Sequence, residues 1–84
     1  MYFKKYELEE ASSYLRDHNF INYRLILEFM IKVPKDLRVT GYPEIDLANY
    51  IKDKEENGIQ ITISYRNING ECRYIWEEER IYEG

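Results

Sequence analysis

A single cysteine, Cys72, cannot close an internal disulfide, and a single histidine, His18, cannot anchor a histidine-based metal centre without partners that show no ligand spacing. The four glycines stand apart at positions 41, 58, 70 and 84, which excludes a glycine-rich phosphate loop. There is no apolar run of about 18 residues to cross a membrane. The start, Met1-Tyr2-Phe3-Lys4-Lys5-Tyr6, lacks the apolar stretch of a secretory leader. These shortages predict a cytoplasmic protein that is not an enzyme and takes no metal or cofactor. Positive charge is also short: twelve Lys and Arg against sixteen Asp and Glu leave a net charge of −4. A general nucleic-acid binder displaces counterions with clustered basic residues, so direct nucleic-acid binding is disfavoured.

What is present supports one small core. Hydrophobic residues make up 44% of the 84 and charged residues 33%, which points to a single α+β domain over 1–84 rather than to disorder. From Ile21 to Val33 every odd position is apolar: Ile21, Tyr23, Leu25, Leu27, Phe29, Ile31 and Val33. Strict alternation predicts one long strand with a committed core face. Ile26 and Met30 interrupt the polar even positions and mark a partly covered reverse face.

Around that strand the other elements follow local signals. Leu8, Ala11 and Leu15 recur with a helical period from Glu7 to about His18, and Asn19 is placed as a left-handed cap. Residues 2–6 and 37–40 are short candidates for strands. Pro43 opens a second helix with Ile45, Leu47, Ala48 and Ile51 inward and Asp46, Lys52, Asp53 and Glu56 outward, ended by Asn57-Gly58. Ile59, Ile61, Ile63 and Tyr65 then alternate with polar residues up to Asn69-Gly70, the dipeptide a type I′ hairpin turn asks for. A two-residue turn there pairs Tyr65 with Tyr74 and Ile63 with Trp76. The expected order is (β)αβ(β)αββ, two helices on one face of a mainly antiparallel four- or five-stranded sheet.

Binding rather than catalysis is the chemistry on offer. His18 at a helix end reads as a cap, and Cys72 lacks the cationic neighbours that would activate a thiol. Acid gathers at Glu77, Glu78, Glu79 and Glu83 beside Trp76 and Tyr82, and at Asp53, Glu55 and Glu56. These residues are the candidate contact with a larger protein or complex that carries a basic surface, nucleic-acid-binding surfaces included. The plainer account is a solvated edge strand kept apart from others by its charges. Ile26 and Met30, if left uncovered, would support a homodimer. Nine tyrosines could instead stack on single-stranded bases, though without a basic track. By type rather than by motif, the profile resembles the compact inhibitors encoded by phages and mobile elements, anti-CRISPR and other anti-defence proteins among them. The expected function is a small acidic inhibitor, with a homodimeric accessory protein as the alternative.

Overall fold

The helical period that begins after Glu7 forms α1, Leu8–Asp17, in a computed structural model that describes residues 7–81. Glu10 Oε1 accepts the Glu7 N–H at 3.1 Å, and Ala11 and Leu15 turn inward. Asn19, at φ 72°, closes the helix in the left-handed conformation. The Phe20 and Asn19 N–H groups return to the carbonyls of Leu15 (2.9 Å) and Arg16 (3.0 Å), so the orphaned end is satisfied. Residues 2–6, one candidate for a strand, lie outside the described residues.

The long strand expected over Ile21–Val33 is a helix instead. Asn22 accepts the Leu25 N–H on its side chain at 3.0 Å and starts α2, Tyr23–Phe29, which tightens into a 3₁₀ turn over Met30–Lys32. Leu25, Ile26, Phe29 and Val33 are buried, a spacing of one, three and four residues that only a helical turn brings to one side. Ile26 and Met30, the two misfits to alternation, were the helical signal. The brief strand expected near 37–40 is likewise absent. Lys35–Leu37 form a second 3₁₀ turn, and the Arg38 guanidinium then reaches back, Nε to the Val33 carbonyl and Nη2 to that of Met30, both at 2.8 Å. One side chain thus holds both ends of the 3₁₀ turn, sharing the Met30 carbonyl with the Val33 N–H (3.0 Å).

Pro43 opens α3, Pro43–Glu56, with Leu47, Ala48 and Ile51 buried. Asp46, expected in water, is buried too: its Oδ1 accepts the Thr40 N–H at 3.1 Å and the Thr40 hydroxyl at 2.8 Å. Those bonds fasten the turn through Gly41 (φ 80°) to the first turn of α3. The hairpin follows as expected, β1 (Ile59–Ile68) and β2 (Glu71–Arg80), with Asn69 and Gly70 both at positive φ. Ile63 faces Trp76 and Tyr65 faces Tyr74.

Among the described residues the sheet has two strands, not four or five, and there are three α-helices rather than two. An isolated hairpin is marginal in water, so the helices provide its support. Ile61 and Ile63 enter the core with Leu15, Phe20, Phe29 and Ile51, while Gln60, Thr62, Arg66, Arg73 and Glu79 line the opposite, uncovered face. Tyr23 and Tyr65, expected inside, are exposed.

Candidate interaction surface

The carboxylates expected to form one acidic face are separated by their own partners. Glu77 accepts from the Ser64 hydroxyl and from Arg66 Nη2, each at 2.9 Å. Glu78 accepts from the Trp76 indole N–H at 2.9 Å, with Lys54 Nζ at 3.5 Å. The indole bond is the largest cause holding the Glu78 carboxyl below the usual range, assisted by Lys54 and Lys32 and opposed by partial desolvation.

Glu55 is drawn inward from α3. Its two oxygens receive the Tyr14 hydroxyl at 2.6 Å and His18 Nε2 at 2.9 Å. His18 Nδ1 lies 2.8 Å from the Tyr14 carbonyl, so the ring bridges the backbone of α1 and the Glu55 carboxylate. His18 does stand at the end of α1, as expected, but it also ties that end to α3. Asp53 is half-buried; Glu56 and Glu79 are exposed. Tyr82 and Glu83 lie outside the described residues.

The aromatic anchor expected beside the acid is committed elsewhere. The Trp76 ring lies 5.8 Å from that of Phe29 and 6.4 Å from those of Phe20 and Tyr50, with Lys32 Nζ 5.9 Å from its centre. Farther along, Tyr65 and Tyr74 sit 4.7 Å apart, and the Cys72 thiol beside them raises the Tyr65 phenol above its ordinary value. The self-association surface is also overturned: Ile26 is 6% exposed and Met30 packs against the core, so the two do not form an open patch.

Sequence reasoning missed the outward side of α2. Tyr23 and Leu27 are each 49% exposed and Ile31 is 79% exposed, one above the next at four-residue spacing. Ile21, 60% exposed, stands just before the helix. The same residues supplied the alternating pattern, so the signal was present but assigned to the wrong period. Among the described residues no cluster of three His, Cys, Asp or Glu side chains could hold a metal ion, and no helix is long and apolar enough to cross a membrane. No protein-family model matches the chain, and it matches no curated protein and no solved structure.

Proposed function

We propose that this protein is a non-enzymatic binder that occupies a surface of a larger macromolecule, with the outward stripe of α2 as its contact. The observation that carries this reading is the line of Tyr23, Leu27 and Ile31, apolar and open to water along α2 and the 3₁₀ turn that continues it. Covering such a line removes apolar area from water, and small chains seldom leave one without use. The net charge of −4, with Glu56 and Glu79 free on the surface, supports a basic partner surface, because long-range charge steers encounter even where it adds little affinity. Blocking that surface would place the protein among the compact anti-defence inhibitors of phages and mobile elements, in the cytoplasm. Its size, acidity and aromatic content support that class.

The test compares the wild-type chain with the double variant L27Q/I31Q as bait in extracts of the native host. A macromolecule retained by the wild type and lost by the folded double variant, with retention falling as salt rises, is the expected outcome. Equal retention by both baits would remove the α2 stripe as the contact.

A further inference from the structure

The two edges of the hairpin differ. Across a two-residue turn the flanking pair, here Ile68 and Glu71, exchanges both backbone hydrogen bonds, and bonded and non-bonded pairs alternate from there. That alternation aims the backbone N–H and C=O groups of Cys72, Tyr74, Trp76, Glu78 and Arg80 away from β1. The β1 edge is blocked near its middle, where Asn19 Nδ2 donates to the Ile63 carbonyl at 3.0 Å. Among the described residues, no backbone group on the outer edge of β2 bonds beyond the hairpin. β2 contains no proline, and its pairing runs through ten residues without a bulge. Of the devices that keep strand edges apart, it retains only charge.

That charge is self-complementary. We infer that β2 pairs antiparallel with β2 of a second copy about a two-fold axis at Trp76, giving a four-stranded sheet in which Arg73 faces the partner's Glu79. Side chains must match faces, so the alternative registers differ in their centre by single residues and in each pairing by two. Centred on Trp76, Arg73 meets Glu79, Tyr74 meets Glu78 and Cys72 meets Arg80, with no like charges opposed. Centred on Ile75, Glu71 meets Glu79; centred on Glu77, that residue meets itself.

Glu79 has its charge unspent, and Arg73 holds only one long, exposed ion pair. Arg73 lies opposite Arg66, a like-charged neighbour that has already taken Glu77, and its own nearest carboxylate, Glu71, is 3.8 Å away. Glu79 forms no ion pair among the described residues. The pairing uses the hairpin edge and not the outward line of Tyr23, Leu27 and Ile31, so it stands apart from the function proposed above.

Sedimentation velocity of the full chain over a wide concentration range tests it. The wild type should dimerise, R73E and E79R should each weaken the dimer by roughly tenfold, and R73E/E79R together should restore it. A wild type that stays monomeric at the highest concentration overturns the proposal. So does a double variant no better than the single ones, or self-association lost in L27Q/I31Q but untouched by the charge reversals. Should a reversed variant unfold, C72S/R73C/E79C supplies the second measurement. Oxidation should then link two chains through the introduced thiols, and chains that stay separate on oxidation count against the pairing.

Discussion

The two sides of α2 are built from the same kinds of residue and have opposite fates. Leu25, Ile26 and Phe29 point inward and are buried, while Tyr23 and Leu27, from the same turns, stand half in water. Composition therefore does not distinguish core from contact. The rotation of the helix does, and that rotation is set where the helix begins. Asn22 fixes the first turn, and from there each residue's direction follows at 100° intervals. The lesson is that an exposed apolar side chain here is a consequence of register.

The comparison breaks most visibly on the inward side. Phe29 sits edge-on to Phe20 at 5.9 Å and beside Trp76 at 5.8 Å, joining α2 to the hairpin. Phe29→Ala removes a ring from that junction and leaves a cavity, so urea unfolding should show a loss of about 3 kcal/mol or more. A loss below about 1 kcal/mol would mean that the inward side is not the packed one. The cap is the intermediate case. Asn22→Ala leaves the Leu25 N–H without its acceptor and should cost about 1 kcal/mol by the same measurement. If the cost is close to zero, the helix is positioned by its buried side chains alone, and the explanation given for its register fails.

How much could be read in advance depends on how local each determinant is. The hairpin was legible pair by pair, because Asn69-Gly70 sets the turn and the turn sets every partner after it. The helices α1 and α3 were legible from caps and spacing, Asn19 and Pro43 above all. α2 was not, because thirteen apolar-rich residues satisfy alternation and a helical period at once, and a short helix offers few turns to separate them. Misreading it as a strand created a sheet that the hairpin does not have. The internal engagement of the acidic residues was hidden for a different reason. Glu55 is engaged by Tyr14 and His18, 41 and 37 residues earlier, and Glu78 by Lys54, 24 residues earlier, so no local window shows that those charges are taken.

The smallest expected effect is the sharpest test of the comparison. Leu27→Gln exchanges one good helix former for another of similar length, so propensity stays nearly level and only side-chain contact changes. Leu27 is half-exposed and no ring or polar partner depends on it, so unfolding should shift by about 0.5 kcal/mol or less. Phe29, two residues further on and on the inward side, supplies the reference for a residue whose contacts do matter. Two outcomes separate cleanly. A near-neutral Leu27→Gln beside a costly Phe29→Ala leaves the outward stripe free for a partner, since its apolar character contributes nothing to the fold. A cost for Leu27→Gln approaching that of Phe29→Ala would instead make the stripe part of the protein's own packing, and its exposure would no longer call for an occupant.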